Sequence, residues 1–96
     1  MQAYKKNIYM DQPTTNNDYL LIVNPNAGHE KGRKDWKIIS SLLSKYDITY
    51  VSKFTQARRH AILLANEGIK NGFRKIIVVG GDGTMNEAVN GAFAQK

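Results

Sequence analysis

The sequence predicts an α/β fold in which three strands alternate with three helices, and three observations carry that prediction. Residues 19–23 and 75–79 are short, nearly unbroken apolar runs, the pattern of strands buried on both faces. Between and after them the apolar period changes to that of amphipathic helices. Turn-forming residues separate the segments at 24–28, 71–72 and 80–83. Strands alternating with helices imply a parallel sheet with right-handed crossovers. The expected architecture is a Rossmann-like, three-layer (βα)3 unit.

Each element follows in order. The first 17 residues are polar, contain Pro13 and a Thr14-Thr15-Asn16-Asn17 run, and show no sustained period, so a flexible leader is expected. Tyr19-Leu20-Leu21-Ile22-Val23 is the first strand, stopped by Asn24-Pro25-Asn26-Ala27-Gly28. A helix then carries Trp36, Ile39, Leu42 and Leu43 on one face. Residues 48–51 read as the second strand. The second helix has Ala61, Leu64, Ala65, Gly68 and Ile69 on its inner stripe and ends near Asn71-Gly72. The third strand covers 75–79. In the last helix Met85, Ala88, Val89, Ala92 and Phe93 follow the i, i+3, i+4, i+7, i+8 spacing of a core-facing stripe. Trp36 and Phe93 are expected in the core. Sheets of this class usually carry five or six strands, so residues 18–96 are expected to be the N-terminal part of a longer domain.

Composition excludes several kinds of chemistry. The absence of cysteine removes disulfides, thiolate zinc sites and cysteine nucleophiles. No apolar run approaches the roughly 20 residues that span a bilayer, and no signal core follows Lys5 and Lys6. A cytoplasmic location is expected, with peripheral contact at the inner membrane surface. The net charge of +6 gathers in small clusters, including Lys31 with Arg33 and Lys34, Arg58-Arg59, and Arg74-Lys75. That excess suits nucleotide phosphates or acidic lipid headgroups. Aromatic residues do not interleave with the cations, which sets nucleic acid aside.

In an open parallel sheet, ligands bind beyond the carboxyl ends of the strands. That rule selects residues 24–28, 52–55 and 80–84. Glycine in the first and third loops permits close backbone approach. Gly80-Gly81-Asp82-Gly83-Thr84 also opens into a helix, whose N-terminal N–H groups and partial positive charge suit phosphate. Asp82 would repel phosphate unless a cation stood between them, which points to a metal-bound nucleotide with Mg²⁺ as the usual ion. Simpler roles are open for several of these residues. Thr84 and Glu87 fit a capping box, Thr55 could cap the second helix, and Asn24 and Asn26 could be turn formers. His29 and His60 lack partners at metal spacing. Asn86 and Asn90 share a helix face, which could line a site or simply be solvated. The P-loop motif, the Gly-x-Gly-x-x-Gly fingerprint and the nucleophile elbow are all absent.

Gly80-Gly81-Asp82-Gly83-Thr84, continued through Met85, Asn86 and Glu87 to Asn90-Gly91, resembles the signature of the diacylglycerol kinase catalytic domain family, which includes bacterial lipid kinases and sphingosine kinases. Asn24-Pro25-Asn26-Ala27-Gly28 is similar to that family's first nucleotide loop, and Thr55 followed by His60-Ala61 to its second. Arg59 stands where the family often has glycine. The resemblance implies that Asn24, Pro25, Asn26, Ala27, Gly28, Thr55, Gly80, Gly81, Asp82, Gly83, Thr84, Met85, Asn86 and Glu87 contact ATP, with Asp82 near the Mg²⁺-phosphate region. It also implies transfer of the γ-phosphoryl group to a lipid hydroxyl such as that of diacylglycerol, reached at a membrane surface. The base and the lipid site would come from a second domain outside residues 1–96, so this piece alone should transfer nothing. Nucleotide and lipid are the expected partners, and homodimer formation is left open. An NAD kinase-like phosphotransferase and a non-catalytic nucleotide-binding module are the competing readings.

Overall fold

A computed structural model of the chain describes residues 16–94. Residues 1–15, most of the expected leader, lie outside that range. The elements run β1 (Asn16–Val23), α1 (Lys31–Lys45), β2 (Tyr50–Phe54), α2 (His60–Lys70), β3 (Phe73–Val79) and α3 (Asp82–Ala92). All pairings are parallel, and the strand order is β2-β1-β3. The Rossmann-like α/β expectation holds: three parallel strands in one open sheet alternate with three helices.

The middle position of β1 follows from its composition. Leu20, Leu21, Ile22 and Val23 are all at most 1% exposed, which only a strand covered on both faces can achieve. Each such burial contributes about 1.5–3 kcal/mol. Leu20 and Ile22 point to one side, where they meet Val51, Phe73, Ala61 and Ala65 of α2 and Ala88 of α3. Leu21 and Val23 point to the other, against Leu43, Trp36 and Ile39 of α1 and Val79. The layers are therefore α1, sheet, and α2 with α3. Trp36 packs as expected, edge-on to Tyr50 and Phe54.

β1 begins at Asn16 rather than Tyr19, its backbone pairing with Phe73 taking in two residues of the expected leader, and Leu42 is 47% exposed rather than on the inner face of α1. Three other elements differ from the sequence reading, each for a physical reason. β2 lies at 50–54 rather than 48–51. Ile48 instead closes the end of α1, its N–H donating to the Leu43 carbonyl at 2.9 Å after a left-handed Asp47. The strand then continues through Ser52 and Lys53, which pair with Leu21 and Ile22; apolar continuity cannot find such a polar stretch at a sheet edge. β3 begins at Phe73, two residues early, and its Ile76, Ile77 and Val78 are half-buried, since among the described residues it has a strand neighbour on one side only.

The third difference is in α3. Its buried face is Thr84, Ala88 and Gly91, while Met85, Val89 and Phe93 are 48, 43 and 83% exposed. Phe93 is thus not a core residue. Small residues win the inner face because α3 lies close against α2: a Cβ on Gly91 would stand 2.1 Å from the Ile62 carbonyl oxygen.

Candidate functional site

The strands end level. Val23, the last residue of β1, is in register with Phe54 and with Val79, the last residues of its two neighbours. Each ladder then continues one step, with Thr55 N–H donating to Val23 O and Asn24 N–H to Val79 O, both at 2.8 Å. Three loops thus leave the carboxyl edge at one height. They surround a cleft of about 520 Å³.

The first loop is held by its own backbone. Gly28, His29 and Glu30 have φ of 52, 53 and 73°, three consecutive residues in the left-handed region. For His29 and Glu30 that conformation costs roughly 1–2 kcal/mol each. The turn is closed by Lys31 N–H to Gly28 O and Gly32 N–H to Ala27 O. Gly32 permits the closure, since a Cβ there would lie 1.9 Å from the Asn24 carbonyl oxygen. Asn24 is a turn former and more: its Oδ1 accepts from Asn26 N–H at 3.1 Å while its Nδ2 donates to Thr84 Oγ1 at 3.1 Å.

The third loop is shorter than the sequence suggested. α3 starts at Asp82, so only Gly80 and Gly81 lie outside the helix. Thr84 is the third helical residue rather than the cap; Gly81 occupies the cap position and no side chain closes this terminus. The capping-box reading fails for that reason. Glu87 does cap a helix, but a different one: its Oε2 accepts the backbone N–H of Arg59 at 3.0 Å, at the N-terminus of α2. Arg59 has φ 71°, in the left-handed region that glycine adopts without strain.

In the second loop Thr55 precedes α2 by five residues and does not cap it. His60 holds this loop, its Nδ1 accepting from Gln56 N–H at 2.9 Å. His29 is exposed on the first loop. Among the described residues no group of three or more His, Asp or Glu is placed to hold a metal.

Of the residues singled out in the sequence, Asn24, Asn26, Ala27, Gly28, Thr55, Gly81, Gly83, Thr84 and Glu87 line the cleft together. Pro25, Gly80, Asp82, Met85 and Asn86 are not in its wall. Gly80 serves the fold: a Cβ there would come within 2.8 Å of Thr84 Oγ1 and 3.2 Å of Asn24 Cβ. Asp82, Met85 and Asn86 are exposed on the first turns of α3. Gln56, Ala57 and Arg58 also line the cleft and were not selected. The signal for them was available, because the whole segment between β2 and α2 lies at the carboxyl edge.

Gly81 and Gly83 stand apart from the other glycines. Neither has a positive φ, and a Cβ on either would meet nothing within 4 Å. The fold has no use for glycine at these two positions. They leave bare backbone on a cleft wall at a helix N-terminus, an arrangement suited to close approach by an anion. Arg58 adds a cation to the same cleft.

A three-layer α/β unit with a polar cleft at its topological switch point is the class defined by this geometry. The chain belongs to the diacylglycerol kinase catalytic domain family, whose model matches residues 18–96. It is 40% identical over 76 residues to a Bacillus subtilis (strain 168) protein named "Putative lipid kinase YtlR", covering 76% of this chain and 25% of that one. A ceramide kinase from Oryza sativa subsp. japonica is 30% identical over 81 residues, covering 80% of this chain and 13% of its own length. The chain spans a quarter or less of these relatives. Among the described residues no helix is long and apolar enough to cross a membrane.

Proposed function

We propose that this chain is the nucleotide-gripping part of a lipid kinase, which transfers the γ-phosphoryl group of ATP to a lipid hydroxyl. The observation that carries the reading is the pair Gly81 and Gly83, bare at the N-terminus of α3 and sharing one cleft with Asn24, Gly28, Thr55 and Arg58. Phosphate oxygens can reach the first-turn N–H groups of α3 only where no side chain intervenes. Asn24 would then set the distance between the two phosphate-facing loops.

Phosphoryl transfer depends mainly on positioning and charge neutralisation. The lipid oxygen bonds to the γ-phosphorus, the bond from that phosphorus to the β–γ bridging oxygen breaks, ADP leaves, and the hydroxyl proton passes to a base. We assign that base and the lipid site to the part of the full-length protein beyond these residues. Mg²⁺ bound with ATP would neutralise phosphate charge, and we assign towards it Asp82, which is exposed on the first turn of α3 beside the cleft, while the carboxylate in the cleft wall, Glu87, is engaged by Arg59 N–H. Since Mg²⁺ is commonly held by one or two carboxylates plus phosphates, a single Asp is a sufficient protein contribution here.

Family membership and the two lipid-kinase relatives weigh against the NAD kinase-like alternative. The test is transfer of labelled phosphate from ATP by the full-length protein, offered diacylglycerol, ceramide, other lipids and NAD in parallel. Labelled lipid is expected; labelling of NAD alone would overturn the proposal. The 96-residue chain by itself is expected to bind nucleotide weakly and to transfer nothing.

A further inference from the structure

The outer face of α1 is built unlike a solvated helix face. Ile38, Leu42 and Tyr46 follow at i, i+4 and i+8 and are 60, 47 and 63% exposed. The inner face already has its own apolar stripe in Trp36, Ile39 and Leu43, packed on the sheet. A helix flanking a globular core needs one such stripe, and α1 carries two.

Cations share the second stripe. Lys31, Lys34 and Lys45 stand seven before, four before and seven after Ile38, spacings that put them on its side of the helix. From Lys31 to Tyr46 there are five cations and only one carboxylate, Asp35, which pairs with Lys31 at 3.0 Å. Lys31, Arg33 and Lys34 occupy the first turn, and no acidic residue is present there. Cations at a helix N-terminus oppose the helix dipole, so their placement does not serve helix stability. Lys45 lies over the Tyr46 ring, 5.5 Å from its centroid, an aromatic and a flexible cation side by side.

From these features we infer that the outer face of α1 docks on an anionic lipid bilayer surface. A convex stripe of apolar side chains interleaved with lysines fits a soft, negatively charged plane. The lysine stems lie along apolar surface while their ammonium groups reach headgroup phosphates. α1 starts immediately beyond the Asn24–Gly28 loop, so docking would bring the cleft to the surface in which a lipid acceptor resides. This assignment deepens the lipid-kinase reading and rests on it for its purpose, though not for its measurement.

The test is sedimentation of the full-length protein with phosphatidylcholine vesicles, with and without phosphatidylglycerol. The parent is expected to bind the anionic vesicles and to be released by salt. Each lysine removed is expected to weaken binding about five-fold, so Lys34→Ser/Lys45→Ser should bind roughly 25-fold more weakly. Ile38→Ser/Leu42→Ser should also lose vesicle binding with an unchanged circular dichroism spectrum, since both sites are exposed. Phosphorylation of a dispersed short-chain lipid should be unaffected in both variants, while that of vesicle lipid falls. Parental vesicle binding by the two variants would overturn the inference. So would a dimer in light scattering that Ile38→Ser/Leu42→Ser dissociates while vesicle binding stays the same. Sedimentation needs no turnover, so absence of kinase activity would defeat the functional reading and leave this one standing.

Discussion

The side-chain amide of Asn24 donates to the hydroxyl of Thr84 at 3.1 Å, joining two loops that are 60 residues apart in sequence. Thr84 is 6% exposed, and Gly80 has no Cβ because both partners crowd the space it would fill. The bond therefore sits under the cleft as a strut between its first and third walls.

Removing the strut should be felt twice. Asn24→Ala is expected to cost about 1–2 kcal/mol, since it leaves the buried Thr84 hydroxyl and the turn at Asn26 without their partner. It should also weaken nucleotide binding. Urea unfolding and titration with a fluorescent ATP analogue measure the two effects. Unchanged affinity with reduced stability would confine Asn24 to the fold.

Gly83→Ala should move stability and binding in opposite directions. The position is helical with open space around it, so alanine is expected to stabilise by up to about 1 kcal/mol. The new methyl would stand on the cleft wall, and nucleotide affinity should fall at least ten-fold. A thermal melt and a nucleotide titration on one protein sample suffice. A tighter or equal Kd would remove the reason offered for glycine at this position.

Glu87 separates a positioning role from ligand contact. Glu87→Gln keeps an acceptor for Arg59 N–H, whereas Glu87→Ala leaves the left-handed Arg59 turn untethered. Alanine is expected to cost about 1 kcal/mol, the bond being exposed, and to raise the KM for ATP. Glutamine should restore most of both. If glutamine proved as damaging as alanine, the carboxylate charge itself would be the important property.

Asp82→Ala in the full-length protein is expected to abolish phosphoryl transfer while costing no more than about 1 kcal/mol of stability. Asp82 is exposed at the first turn of α3, where a negative charge interacts favourably with the helix dipole. Assays over a range of Mg²⁺ concentration would show whether the loss is one of metal use. Undiminished turnover would remove Asp82 from the Mg²⁺-ATP assignment.

The sequence made the layers legible because the strongest signal, an unbroken apolar run, belongs to the strand that is buried most completely. The same signal faded at the edges. Ser52 and Lys53 belong to β2 through backbone pairing that leaves no apolar mark, and Phe93 completes a helical period yet is 83% exposed. Periodicity shows that a helix has an apolar side, while neighbouring bulk decides which residues face inward; here close contact between α2 and α3 favours small residues such as Ala88 and Gly91. In the cleft, the glycines and Asn24 were legible as loop chemistry. The partners of Glu87 and Asn24 were not, because both bonds join residues brought together only by strand order. Arg58 was legible only through its place between β2 and α2 at the carboxyl edge, since its local spacing is that of any solvated cation.

The level ending of β1, β2 and β3 gives this unit a division of labour. The four buried residues of β1 fill the sheet and form no part of the cleft wall, so substitutions there act through folding. Gln56, Ala57 and Arg58 rest on that platform without supporting it. Selection can therefore rewrite those three rim positions one at a time, altering what is held, while the strands beneath keep an inherited shape.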